Sequence, residues 1–151
     1  MKFTPAKLNL FLFLKLPAAF WSGVRVRSIS NSLCEVAVKH RWINQNPFQS
    51  MYFAVQAMAA ELSTGALVML HIKASGHNIS MLVAQNKSVF TKKATGKITF
   101  VCTQGNAIQE AIQTAILTKE GQTIWLTSIG NNANGEQVSE MQFEWTLKVR
   151  S

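Results

Sequence analysis

Residues 44–65 read NQNPFQSMYFAVQAMAAELSTG, and between Arg41 and His71 the only charged side chain is Glu61. Few architectures can accommodate such a segment. Its spacing predicts one long helix, with Met51, Val55, Met58 and Leu62 on one stripe and mostly uncharged residues on the other faces. A helix that is apolar nearly all round must be surrounded on most sides.

The flanking sequence predicts strands that could surround it. GVRVRSIS and LCEVAVKHRW alternate apolar and polar residues around a turn-like NS, and NISMLVAQNKSVF, GKITFVCTQ, QTIWLTSIG and VSEMQFEWTLKVR follow the helix. The last is the clearest: Met141, Phe143, Trp145, Leu147 and Val149 alternate with Gln142, Glu144, Thr146 and Lys148. NNANGE before it predicts a turn. NAIQEAIQTAIL has helical spacing but fits a distorted strand as well. The expected class is α+β: a short helix, two strands, a long central helix and about four more strands, with an antiparallel sheet curling around the helix.

The 151 residues suit one domain, 1–151, and no repeat or linker divides them. The opening MKFTPAKLNLFLFLKLPAAFW pairs lysines with an apolar run of seven residues. That run is far shorter than the about 20 residues needed to cross a bilayer, and no small-residue cleavage site follows it. Thr4 before Pro5 predicts a helix N-terminus. A short helix packed on the body is expected, with peripheral membrane contact as the secondary alternative and no stable membrane insertion. Cys34 and Cys102 lie far apart, outside any CxxC spacing, so buried thiols in a reducing cytoplasm are expected, without disulfide or metal site. A formal charge of +8 favours anionic partners. The cations are scattered along strands without a recognition-helix or zinc-finger signature, so nucleic acid is not an expected partner.

Glu61 is the first candidate for chemistry. Ala54, Ala57 and Gly65 surround it on the helix, so the carboxylate stands beside space. Withdrawn from water, such a group has a raised pKa and can act as base or nucleophile. The same position also fits a carboxylate that reaches solvent or pairs with a Lys or Arg. Asn46, before Pro47 and three residues ahead of Gln49, resembles a capping box; its amide could instead orient water or a thioester carbonyl. Free N–H groups at the helix start, near Ser50 to Tyr52, could stabilise an oxyanion. Lys92, Lys93 and Lys97 cluster in VFTKKATGK, either as a solvated loop or as a phosphate contact. His40, His71 and His77 lack metal-ligand spacing, and Ser50 has no G-x-S-x-G setting.

FWSGVRVRSIS, HRWINQNPFQSMYFAVQAMAAELSTG, VFTKKATGKITF and the terminal FEWTLKVR together resemble the thioesterase-like hotdog-fold family, most of whose members lack a defined function. Related acyl-CoA thioesterases of the phenylacetyl-CoA type carry a motif N-x-x-G-x-x-H-G-G with an acid nine positions after the His. Its Asn matches Asn46 and its acid Glu61, whereas Gln49, Tyr52, Phe53 and Ala54 replace Gly, His, Gly and Gly. The missing His argues against hotdog dehydratases. The resemblance implies hydrolysis of an acyl-CoA-like thioester, with Glu61 as base or nucleophile and Asn46 orienting. Gln49, Ser50, Met51 and Tyr52 would lie against the substrate, and Lys92 and Lys93 would hold the phosphates. Coenzyme A would arrive as part of the substrate, with no separate cofactor. The resemblance also implies a homodimer or tetramer with sites at the subunit junction. The alternative is a non-catalytic hotdog module that binds an acyl or lipid ligand.

Overall fold

A computed structural model describes residues 2–151. The chain opens with helices α1 (Pro5–Lys15) and α2 (Pro17–Trp21), followed by strands β1 (Arg25–Ile29) and β2 (Cys34–Lys39). A 3-10 turn, Trp42–Asn44, leads through an irregular loop to the long helix α3 (Phe53–Ser75). Then come β3 (Ile79–Phe90), β4 (Lys97–Cys102), helix α4 (Gly105–Thr118), β5 (Gln122–Asn131) and β6 (Gln137–Val149). The six strands form one sheet in the order β1-β2-β4-β5-β6-β3, antiparallel at every pairing.

The sheet wraps α3, as expected for a hotdog fold. Alternation supplies the inner face: Val36 and Val38 of β2, Ile98 and Phe100 of β4, Leu126 of β5, and Met141, Phe143, Trp145 and Leu147 of β6 are all buried. Against them lie Val55, Ala59, Leu62, Ala66 and Leu67 of α3. Helix α4 covers a further flank of α3 with Ile108, Ile112 and Ala115, so NAIQEAIQTAIL is a helix. By length and composition α3 could cross a bilayer, but 61% of its apolar window is buried inside the protein, so its apolarity serves the core.

Three polar cross-links fix the position of α3 on the sheet. Gln56 Oε1 accepts from the Ser139 hydroxyl at 3.0 Å, and the Ser63 and Ser128 hydroxyls meet at 2.7 Å. The Trp145 indole N–H donates to Thr64 Oγ1 at 3.0 Å. All six side chains are buried, where a missing partner would cost about 1–3 kcal/mol. The links therefore disfavour rotation or sliding of the helix.

The helix boundaries differ from the sequence expectation. Residues 45–52 are not helical: α3 starts at Phe53, with Tyr52 as N-cap, and continues to Ser75, where Gly76 closes it in the left-handed region at φ 72°. The local apolar pattern misled because the loop makes long-range bonds instead. The N–H of Met51 donates to the Ala94 carbonyl and that of Tyr52 to the Asn44 carbonyl, each at 2.8 Å. Met51 is therefore a buried loop residue and not part of a helical stripe.

At the N-terminus, Thr4 Oγ1 accepts from the Lys7 N–H and Pro5 opens α1, as expected. Leu8 and Leu12 face inward, and the Asn9 amide both donates to and accepts from the Val26 backbone. Asn9 thus satisfies edge strand β1 as a neighbouring strand would. Cys34 and Cys102 are free buried thiols that face each other across β2 and β4, and burial pushes Cys34 up to about 12.

Candidate active site

The loop before α3 is built around Asn46. Its Oδ1 accepts from the N–H groups of Phe48 (2.9 Å) and Ser50 (3.2 Å), and its Nδ2 donates to Ser50 Oγ at 3.0 Å. Asn46 is therefore a loop organiser and not the α3 cap, which lies six residues later. Gln49 sits at φ 60°, the left-handed region that favours glycine, at the position where the thioesterase motif has its first Gly. Asn44, which carried no signal in the sequence, is the buried pin of the preceding turn. Its amide accepts from the Arg41 N–H and donates to the Ser22 and Lys39 carbonyls.

This loop, the first turn of α3 and the chain after β3 enclose a cleft of about 530 Å³. Asn46, Ser50, Met51, Tyr52, Lys92 and Lys93 line it; Gln49 and Glu61 do not. Gln56 is a polar lining residue that the sequence concealed within an apolar helix. Its Oε1 is taken by Ser139, while its Nε2 has no acceptor among the described residues. Lys92 pairs with Glu136, and Lys93 Nζ donates to the Phe48 carbonyl at 3.3 Å. Lys97 lies elsewhere, at the start of β4, so the three lysines do not act together.

The amides available to polarise a carbonyl are not those expected. The N–H groups of Ser50, Met51 and Tyr52 are all engaged, by Asn46, Ala94 and Asn44. Among the described residues, the N–H groups of Phe53 and Ala54 have no acceptor, and α3 has no side-chain cap. These two residues stand where the motif places its paired glycines.

Glu61 lies about two turns further along α3. No ion pair or hydrogen bond holds its carboxylate; the only salt bridge among the described residues is Lys92–Glu136. Its surroundings are small or aromatic. A Cβ placed on Gly65 would lie 3.2 Å from Glu61 Oε1 and 3.2 Å from the Trp145 ring, so the carboxylate and the indole both close in on the space above this glycine. Partial burial without a compensating charge pushes the Glu61 carboxyl above the ordinary carboxylate value. Eight residues at 1.5 Å each separate Glu61 from Phe53, about 12 Å along the helix. Within one chain, then, the carboxylate and the free amides cannot meet on one carbonyl.

Neither ring nitrogens nor thiols assemble a second centre. His71 Nε2 is 2.8 Å from the Asn31 carbonyl, His40 Nε2 is buried without a partner, and no metal-binding cluster exists among the described residues.

The family described as a domain of unknown function, DUF4442, matches residues 8–147. The chain belongs to the DUF4442 family. No curated protein matches it. Among solved structures, this DUF4442 chain is similar to a Pseudomonas aeruginosa protein of unknown function given as a probable thioesterase. That match has 21% identity, covers 97% of each chain and has a TM-score of 0.80. A Chlorobaculum tepidum protein of unknown function superposes with a TM-score of 0.83 at 13% identity, covering 97% of this chain and 94% of the other. A Haemophilus influenzae thioesterase gives 0.76 at 13% identity, covering 99% and 93%. At these identities the likeness shows the hotdog fold of thioesterase-like proteins.

Proposed function

We propose that this DUF4442 protein hydrolyses an acyl-CoA-like thioester, with Glu61 as general base. The observation that carries this reading is the Glu61 carboxylate: unpaired, partly buried beside Trp145 and Gly65, and raised in pKa by desolvation alone. A carboxylate held at that cost has no structural task in the chain. Its raised pKa makes it a stronger base than an ordinary carboxylate.

The chemistry is a single addition and elimination. Glu61 takes a proton from water as the water oxygen bonds to the thioester carbonyl carbon. The resulting oxyanion is received by the N–H groups of Phe53 and Ala54 at a helix start. On collapse the C–S bond breaks, and the Glu61 proton passes to the departing sulfur. Since the two sets of groups lie about 12 Å apart on one helix, the amides serving a given Glu61 come from a partner subunit. Asn46 shapes that oxyanion loop, and Lys93, with Lys92, borders the cleft where the coenzyme A phosphates would lie.

A homodimer through β3 supports such a site. This strand is the sheet edge beyond β6, is 12 residues long, and exposes Leu82 (68%) and Val89 (60%). An open apolar edge of that length favours pairing with another strand. Glu61→Gln tests the reaction: thiol release from a panel of acyl-CoA esters is expected to collapse with folding unchanged, and wild-type rates in that variant would remove Glu61 from the mechanism.

One observation favours the second reading, a module that binds an acyl or lipid ligand without turnover. The Phe53 side chain, 55% exposed, packs edge-on against Tyr52 and Phe90 at the first turn of α3, where the motif has glycine. Ligand binding without thiol release across the panel would establish that reading.

A further inference from the structure

At the opposite edge of the sheet from β3, the molecule presents a surface that the proposed reaction does not use. Helix α1 faces the body with Leu8 and Leu12, yet its other side is also apolar: Leu10, Phe13 and Leu14 point outward, Leu14 at 62% exposure. Trp21 of α2 continues this patch at 63% exposure, 6.5 Å from the Phe13 ring. A soluble helix normally turns charge outward, so a second apolar face is unexplained by the fold.

The apolar patch runs directly into a cluster of cations. Phe13 stacks on Phe20 at 5.1 Å, and the Arg25 guanidinium lies 3.7 Å over the same Phe20 ring. Arg25 in turn lines a hollow of about 350 Å³ with Arg27, Lys39, Arg41 and Lys97, where Glu35 is the only acid. Burial and the neighbouring Arg41 and Arg27 hold Arg25 below the ordinary guanidinium value, as expected where five cations crowd around a single acid. Next to Arg41 stands Trp42, 83% exposed, anchored to the end of α2 by the Asn44–Ser22 hydrogen bond. Residues 1–60 hold seven Lys and Arg against one acid, so this part of the chain carries +6 of the formal +8.

We propose that this face docks reversibly on an anionic lipid bilayer, with Leu10, Phe13, Leu14 and Trp21 entering the headgroup boundary and the hollow taking lipid phosphates. Three features select a bilayer. Eleven residues of α1 span about 16 Å, too short to cross the about 30 Å hydrocarbon core but suited to lying on it. Exposed tryptophans beside cations match the amphipathic belt at a membrane surface. A second copy of the chain would bring two strongly positive faces together, so self-association here is opposed. A dimer through β3 would leave both such faces free.

The test is co-sedimentation of the full chain with vesicles of phosphatidylcholine alone or mixed with phosphatidylglycerol, at low and high salt. Capture by the anionic vesicles only, weakened by salt, is expected. The triple variant Arg27→Ser, Lys39→Ser, Arg41→Ser is expected to lower partitioning about a hundredfold, at roughly fivefold per cation. The double variant Leu14→Ser, Trp21→Ser is expected to lower it about tenfold or more with charge unchanged. Circular dichroism checks the variants; should either misfold, quenching of wild-type tryptophan emission by brominated acyl chains decides instead. No capture at low salt, capture insensitive to Leu14 and Trp21, no quenching, or retention by polyglutamate in place of vesicles would each overturn the proposal.

Discussion

Glu61→Gln should separate activity from stability. In the folded chain Glu61 is desolvated without a partner, and its carboxyl lies above the ordinary value. A carboxylate with a raised folded-state pKa binds more protons in the native than in the unfolded state between the two pKa values. Stability therefore falls as pH climbs from the ordinary value near 4.5 through the folded value, and the penalty persists at neutral pH. Each unit of upward shift costs about 1.4 kcal/mol. An isosteric amide removes that term, so the variant is expected to melt higher at pH 7, by about 2–4 °C per kcal/mol in a domain of this size. The gain should shrink as pH is lowered and vanish once Glu61 is protonated in both states. In the same variant, loss of the base should lower kcat about 10²- to 10⁴-fold. Paired melting curves from pH 4 upward and thiol-release assays check both arms. A variant less stable than wild type at pH 7 would show that the carboxylate has a native partner, which would refute the desolvation argument. Undiminished turnover would refute the catalytic one.

Other perturbations address the supports of the site. Trp145→Ala removes a buried ring and its bond to Thr64, whose hydroxyl keeps its bond to the Glu61 carbonyl, so a loss of about 3–5 kcal/mol is expected in denaturant unfolding, chiefly from the cavity. Leu82→Lys with Val89→Lys should leave the monomer folded but shift sedimentation toward monomer and remove turnover, because the second set of amides is lost. Phe53→Gly should uncover the free amides; kcat/KM is expected to rise, with a stability cost of about 1 kcal/mol for glycine at the helix start. Wild-type kcat/KM in that variant would place the oxyanion contact elsewhere.

Much of the fold was legible because strand alternation is a local signal tied to burial. β6 could be read residue by residue, and the nearly uncharged stretch around Glu61 required a wrapped helix. What escaped the sequence is non-local. The α3 start was obscured because the hydrogen bonds of Met51 and Tyr52 end at Ala94 and Asn44, which no periodicity reports. Gln56, Ser63 and Thr64 interrupt an apolar pattern without announcing that Ser139, Ser128 and Trp145 await them. Glu61 could be singled out, since a lone acid in such a helix is conspicuous. Its separation from the cleft depends on where α3 begins, and so was hidden with it.

The departures from the thioesterase motif can be divided by what each position asks of the backbone. At Gln49 a non-glycine residue holds a left-handed φ, so the chain accepts about 1 kcal/mol of strain to keep the loop path. That path also holds the Asn46 contacts that present the helix start. At Phe53 and Ala54 the backbone is ordinary helix, a conformation that demands no glycine. Glycine at those two positions can therefore serve only approach, leaving room above the amides. Ala54 restores a single methyl group, whereas Phe53 adds a ring that stacks on Tyr52 and Phe90. The Phe53 ring therefore crowds the helix start, while the left-handed turn at Gln49 fixes the path of the loop leading to it.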